Sequence, residues 1–194
     1  MKFAHTTIVV AGSHSTGKST FLEGVEARLI AEGIRVGRVA DTATKAHEIG
    51  FPILRGHVYE STLWIMAEGL RQEMEAALRS DVVLVDRPLI DAVGYLQAAL
   101  EATGRQIEDA RMQELLRMAV GHQSRYHWFA ATVLDESIPL GDGRDPDPDF
   151  RRLAGSAIAA LTKAHVSNPR WLDIANAVNL TNEVVGLVLE RHRA

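Results

Sequence analysis

The chain has 194 residues, of which 46% are hydrophobic and 24% charged, and this composition is typical of an ordinary globular domain with one full core. It has no cysteine, which excludes disulfides and thiolate metal sites and favours a reducing, cytoplasmic location, and its formal charge of −4 gives no support for a nucleic-acid partner. No stretch reaches the roughly 20 apolar residues that cross a membrane, and the N-terminus leads into a predicted strand rather than a signal peptide, so no membrane partner is expected.

The first predicted elements surround a glycine-rich octet. Residues 7–11 are a short β-branched run that predicts a strand, and residues 21–31 have apolar side chains at helical spacing. Between them lies the pattern Gly-x-x-x-x-Gly-Lys-Ser, formed by Gly12, Ser13, His14, Ser15, Thr16, Gly17, Lys18 and Ser19 and extended by Thr20. In this pattern backbone N–H groups close around phosphates, the lysine reaches the β- and γ-phosphates, and the final hydroxyl is a ligand for Mg²⁺. The octet therefore predicts a site for ATP and Mg²⁺ rather than a structural glycine turn.

The second predicted strand ends in a candidate catalytic base. Residues 34–40 predict this strand, and residues 42–52 predict a loop over the nucleotide site. Because open α/β sheets bind ligands at the carboxyl ends of their strands, Asp41 could face the site and accept a proton from a substrate hydroxyl. The alternative is that Asp41 only caps the segment that follows it.

A long helix predicted from about Leu54 to Leu78 would line a substrate cleft. Tyr59 and Trp64 lie within about one and a half turns of this helix, close enough to stack on a substrate ring and hydrogen-bond to it. The alternative is core packing, the more common use of aromatic residues at helical spacing.

The third predicted strand carries the next candidates. Residues 81–86 are an apolar run bounded by aspartates, typical of a strand buried on both faces of a parallel sheet. Asp86, at its carboxyl end, could hold Mg²⁺, and Arg87 could bind an anionic substrate or the transferred phosphoryl group. The alternatives are a solvated strand end and a surface ion pair. Asp91 could point back toward the cleft as a substrate contact or only cap the next helix.

The rest of the chain continues the alternation of helices and strands. The predicted elements are helices over 90–101 and 107–120, a strand over 126–134, a helix from about Asp147 to His165, a strand over 170–174 and a helix from Thr181 to about His192. This alternation predicts βαβ units in a five-stranded, mostly parallel sheet, within a single domain over residues 1–194.

The predicted loop from Asp135 to Asp149 is rich in proline, glycine and aspartate, and arginines lie within it and just after it. The lid of a phosphotransferase needs cations that neutralise charge on the γ-phosphate when it closes. Arg144, Arg151 and Arg152 are the candidates. The alternative for the last two is pairing with aspartates on a solvated helix face.

Three stretches, GSHSTGKST, VLVDRPLIDAVGYL and IPLGDGRDPDPDFR, together resemble the small P-loop kinase family that includes the ribosylnicotinamide kinase domain of NadR-type proteins. The chain is similar, more distantly, to deoxynucleoside and thymidylate kinases. The resemblance covers roughly residues 6–190 and implies a three-layer α/β/α fold with a lid around residues 140–152. It further implies that Lys18 and Ser19 bind ATP and Mg²⁺, that Asp86 and Arg87 flank the phosphoryl acceptor, and that Arg144 is a lid arginine.

The sequence therefore predicts an ATP-dependent kinase of a small molecule, with a nucleoside or nucleotide as the leading acceptor. The alternative is a nucleotide-binding switch or binding module with little phosphotransfer. A GTPase switch is disfavoured because the guanine pattern Asn/Thr-Lys-x-Asp is absent: Lys45 and Lys163 are each followed by Ala-His. The sequence leaves the acceptor and the oligomeric state open, a homodimer included.

Overall fold

The computed structural model describes residues 5–135 and 147–193, in which one or two helices connect each strand to the next. The elements, in chain order, are β1 (Thr6–Ala11), α1 (Lys18–Ala31), β2 (Val36–Val39), α2 (Thr42–Glu48), α3 (Tyr59–Ala77), β3 (Val82–Asp86), α4 (Leu89–Thr103), α5 (Asp109–His122), β4 (Trp128–Thr132), α6 (Pro148–His165), β5 (Arg170–Leu172) and α7 (Ala177–Arg193). Short 3₁₀ turns lie at Leu54–Gly56 and Gln123–Arg125.

The five strands form one parallel sheet in the order β2-β3-β1-β4-β5. Every residue of the central strand β1 is buried, because helices cover both faces of the sheet. The strand register pairs Val10 with Asp86 and Ala11 with Ala131, so the carboxyl ends of β1, β3 and β4 meet at one edge. The predicted α/β fold with a five-stranded parallel sheet is confirmed.

The core lies in two layers, one on each face of the sheet. Val9, Val83 and Val85 pack with apolar residues of α3, α4, α5 and α6 on one face. Ile8 and Val10, the alternate residues of β1, pack with α1 and α7 on the other. Two helices on the first face, α3 and α4, contribute residues to the site described below.

Two predicted boundaries differ at the second crossover. The predicted loop over residues 42–52 contains helix α2, which is held to the domain by its buried residues Thr42 and Ala46. The long helix begins at Tyr59 rather than near Leu54, because Leu54 has a positive φ of 57° and the chain is extended at Val58, just before the helix starts.

The N-terminal ends of α6 and α7 differ in whether the predicted capping residue caps the helix. Asp147 caps α6 as predicted: its side chain accepts a hydrogen bond from the Phe150 N–H at 2.9 Å, and Pro148 occupies the first helical position. In α7, by contrast, Thr181 lies inside the helix, which begins at Ala177, and its hydroxyl donates to the Ala177 carbonyl at 2.8 Å.

None of the described helices combines the length and apolar character needed to cross a membrane.

Candidate functional site

The glycine-rich octet forms the loop between β1 and α1, at the carboxyl edge of the sheet. Gly12 and Gly17 have φ of 138° and 83°, and Ser15 is held at φ 54°, so the loop depends on conformations that most side chains resist. Thr16 ties the loop to the neighbouring strand through a 2.7 Å hydroxyl–hydroxyl hydrogen bond with Thr132 of β4. The local sequence thus produces a tight turn whose backbone amides lie at the start of α1.

Lys18, the lysine of the octet, is buried, with 4% of its surface exposed. Its ammonium group donates to the Ser13 carbonyl at 2.5 Å and to the Thr16 hydroxyl at 3.4 Å. The charge is therefore held within the curve of the loop, where a phosphate group would meet it.

Ser19 and Asp86 meet at the first turn of α1 and the end of β3. The Ser19 hydroxyl donates to Asp86 Oδ2 at 2.7 Å. The other carboxylate oxygen, Oδ1, is buried and has no hydrogen-bond partner among the described residues. A serine hydroxyl beside a carboxylate with an unsatisfied oxygen fits the hard oxygen ligands that Mg²⁺ prefers.

Arg87 adopts an unusual backbone conformation at the end of β3. Its φ is 72°, a region that costs a non-glycine residue about 1–3 kcal/mol, and it precedes Pro88. Its N–H donates to the Val10 carbonyl at 3.2 Å, and its guanidinium lies 5.2 Å from the Tyr95 ring centroid and donates to the Tyr95 hydroxyl at 2.8 Å. These contacts aim the cation into the site rather than into a surface ion pair.

Asp91 lies beside the loop of residues 12–19, called the phosphate loop below, and 1% of its surface is exposed. Its Oδ2 accepts a 2.9 Å hydrogen bond from the Gly12 N–H, and the helix cap position is taken by Pro88 instead. Burial raises the pKa of Asp91 to about 7, against the opposing influence of the Lys18 and Arg87 charges. Asp91 is therefore a buried carboxyl group that holds the phosphate loop by a hydrogen bond to its first residue.

A cavity of about 930 Å³ joins the phosphate loop to the helical face of the domain. One part is lined by residues of the octet, together with the exposed Asp41 and with Asp86 and Arg87. The other part is apolar and is lined by residues of α3 and α4 that include Ile65, Met66, Gly69, Leu89 and Ala92. The two parts are continuous, so the space extends well beyond the loop.

Asp41 precedes α2 at φ 61°, and its carboxylate makes no capping hydrogen bond to the described backbone. It is one of the cavity-lining residues, at the end of β2 where the sequence predicted it.

Tyr59 and Trp64 are not among the described residues that line the cavity. The Tyr59 hydroxyl donates to Glu114 at 2.7 Å, and Trp64 packs against Phe51 with a ring separation of 5.8 Å. The reason is the rotation of α3, which presents Ile65 and Gly69 to the cavity. The helical spacing of apolar residues predicts that α3 has a buried face, but it does not show which residues of that face line the cavity.

Of the three predicted lid arginines, Arg144 lies outside the described residues. Arg151 is buried, and its guanidinium donates to the Ser15 carbonyl of the phosphate loop at 2.7 Å and to the Asp135 carbonyl at 3.3 Å. Arg152 is exposed and pairs with Asp149 at 2.9 Å on the same helix. One arginine of α6 thus reaches the loop while its neighbour lies on the helix surface.

His57 and Tyr95 line the cavity and were not singled out from the sequence. His57 is 3% exposed, and its Nδ1 donates to the Leu54 carbonyl at 3.0 Å, which leaves Nε2 as an acceptor in the neutral ring. Burial lowers the pKa of His57 to about 4. No motif contains His57, and Tyr95 lies within the stretch VLVDRPLIDAVGYL without a spacing that indicates a role, so only their place in the fold could reveal them.

Comparisons with known proteins agree with this architecture. A sequence model of the family described as an AAA domain matches residues 7–165. No curated protein matches the chain.

Two solved proteins illustrate the structural likeness. The chain is similar to the NadR protein in complex with NR, at TM-score 0.63 and 11% identity, over 88% of this chain and 46% of that one. It is also similar to deoxyadenosine kinase from M. mycoides with bound dATP, at TM-score 0.61 and 12% identity, over 98% of this chain and 100% of that one. The chain thus spans about half the length of the NadR protein. These likenesses confirm the predicted resemblance at the level of the fold.

Proposed function

This chain belongs to the AAA domain family, and from that premise we propose that it is an ATP-dependent phosphotransferase acting on a small molecule. The leading acceptor class is a nucleoside or nucleotide. The reaction breaks the bond between the γ-phosphorus and the oxygen that bridges it to the β-phosphate, and forms a bond from that phosphorus to an acceptor oxygen. ADP leaves, and a hydroxyl acceptor gives up its proton to a base.

The observation that carries the proposal is the continuous cavity between the phosphate loop and the apolar residues of α3 and α4. A nucleotide switch needs room for a nucleotide alone. A phosphotransferase also needs space for a second reactant next to the γ-phosphate, because catalysis depends on holding the two together in line. A cavity of about 930 Å³ supports the second requirement, since it lies toward the upper end of the usual range for ligand sites.

The charged residues around this cavity suit the same reaction. Lys18 and Arg87 would neutralise charge that develops on the transferred group, and they act in a partly buried site where such charges count for more than in water. Ser19 and Asp86 would hold Mg²⁺, which when bound neutralises charge on the phosphate oxygens. Asp41 would accept the proton of a hydroxyl acceptor, because its exposed carboxylate lines the cavity.

The experiment that tests the proposal is ADP release by the purified protein with Mg-ATP, alone and with a panel of nucleosides, mononucleotides and related hydroxyl compounds. Lys18→Ala should abolish release, whereas the matched variant Lys163→Ala, at an exposed lysine on α6, should leave it unchanged. Strong stimulation by one compound supports a kinase and identifies its acceptor class. If ATP binds and no compound raises the rate, the proposal fails in favour of a nucleotide switch.

A further inference from the structure

Helix α4 holds the phosphate loop through two side chains one turn apart. Asp91 and Tyr95 are four residues apart and so lie on the same face of the helix. Asp91 Oδ2 accepts from the Gly12 N–H at 2.9 Å, and the Tyr95 hydroxyl accepts from the His14 N–H at 3.0 Å. Both side chains are buried, with 1% and 5% of their surfaces exposed. The Gly12 and His14 amides of the loop are therefore bonded to side chains of the helix.

The Tyr95 hydroxyl uses its full hydrogen-bonding capacity. It accepts from the His14 N–H and from Arg87 Nη1 at 2.8 Å, which fills both oxygen lone pairs. Its third contact, 3.2 Å from His14 Nδ1, must therefore use the hydroxyl proton, so Tyr95 donates and Nδ1 accepts. One oxygen atom thus joins the backbone and side chain of His14 to the guanidinium of Arg87.

We propose that Asp91 and Tyr95 are positioning residues that form a clamp on the phosphate loop, with Tyr95 coupling the loop to Arg87. The clamp fixes the first half of the loop before nucleotide binds, so that the later amides already point at the phosphates. The Tyr95 hydroxyl holds Arg87, which lies in a costly backbone conformation, at a fixed position relative to that loop. The catalytic consequence rests on the proposed function, whereas the effect on the loop does not.

The first test compares Tyr95→Phe with Tyr59→Phe. Tyr95→Phe removes only the hydroxyl and keeps the ring, which lies 5.8 Å from the His57 ring and 6.0 Å from the Phe150 ring. Tyr59→Phe removes a hydroxyl that bonds to Glu114 outside the cavity. The measurements are hydrogen exchange at the Gly12 and His14 amides, ATP affinity, and kcat with its KM values.

Tyr95→Phe should speed exchange at the His14 amide about tenfold or more, because that amide loses its hydrogen-bond acceptor. The melting temperature should fall by a few degrees, because the lost hydroxyl also bonds to the His14 side chain and to Arg87. With an acceptor present, kcat should fall about tenfold while the KM for ATP changes by less than about threefold, the pattern expected when an interaction serves the transition state. Tyr59→Phe should change none of these. Unchanged exchange at His14, or an equal loss of stability and ATP binding without a kcat effect, would overturn the clamp.

A second pair of variants tests the Asp91 arm. Asp91→Asn keeps an oxygen that can accept from the Gly12 N–H, and Asp91→Ala removes it. Fast exchange at the Gly12 amide in Asp91→Ala, restored toward normal in Asp91→Asn, supports the clamp. Equal exchange in the two variants overturns it. The exchange measurements need no acceptor, so a failure of the proposed kinase activity would be distinguishable from a failure of the clamp.

Discussion

Gly12 and Thr132 approach so closely that a Cβ atom on Gly12 would lie 1.9 Å from the Thr132 hydroxyl oxygen. The φ of 138° at Gly12 adds a conformation that other residues rarely adopt. The phosphate loop therefore passes over β4 only because its first residue lacks a side chain.

Gly12→Ala should lower the free energy of unfolding by about 3 kcal/mol or more, since it combines a steric clash with an unfavourable φ. The matched variant is Gly24→Ala, in α1, where an added Cβ meets no atom within 4 Å. It should raise the free energy of unfolding by about 0.5–1 kcal/mol through helix propensity. Denaturant unfolding of both variants checks the prediction, and a Gly12→Ala protein as stable as wild type would contradict the geometry of the loop.

The proposed magnesium site predicts a metal-specific defect for Asp86→Asn. The variant should weaken ATP binding about tenfold or more when Mg²⁺ is present, and by much less with a chelator, because the removed charge faces the metal rather than the nucleotide. The control is Asp81→Asn. Asp81 immediately precedes β3, at the opposite end of the strand from Asp86, and forms a 2.7 Å ion pair with Arg35 outside the cavity. Equal losses with and without Mg²⁺ would argue against a metal role for Asp86.

The buried carboxyl of Asp91 predicts a decline in stability with rising pH. Its pKa is raised to about 7 in the folded protein because of burial, above its value of 3.8 in the unfolded chain, so the folded state binds the proton more tightly. Its contribution to stability is complete below about pH 4 and is lost as pH rises through 7. The stability of Asp91→Asn should fall less than that of wild type across this window. A constant difference between the two proteins from pH 4 to pH 8 would contradict the prediction.

His57 predicts the opposite dependence on the acid side. Burial holds its pKa at about 4, below the usual 6.5, so the unfolded chain takes up the proton first as pH falls. Stability from neutral His57 is present above pH 6.5 and is lost toward pH 4, by roughly 3 kcal/mol. Chemical unfolding of His57→Gln between pH 4 and 7 should show a smaller acid loss than wild type. A slope as steep as that of wild type would mean that His57 does not titrate in this way.

The sequence predicts the phosphate loop and the strand ends well because each depends on short-range chemistry. The octet requires glycines at fixed spacing, and the apolar run before Asp86 is typical of a strand buried on both faces. Ser19 and Asp86 meet because parallel strands bring their carboxyl ends to one edge, a rule that applies before any coordinates are known.

Other features depend on long-range packing that the sequence does not encode locally. The Tyr95 hydroxyl meets His14 across 81 residues, and Arg151 reaches Ser15 across 136. No spacing rule connects such pairs. The rotation of α3, which turns Tyr59 away from the cavity, is likewise set by packing against α4, β2 and α2 rather than by the helix's own periodicity.

The most direct test of the central claim follows the γ-phosphoryl group itself. The protein is incubated with ATP labelled with ³²P at the γ-position, Mg²⁺ and the acceptor that best stimulates ADP release, with Lys18→Ala in parallel. We expect the label to appear in the acceptor in an amount equal to the ADP formed, and to remain in ATP with the variant. Label released only as inorganic phosphate, at a rate that no acceptor changes, would contradict phosphoryl transfer and identify a simple ATPase.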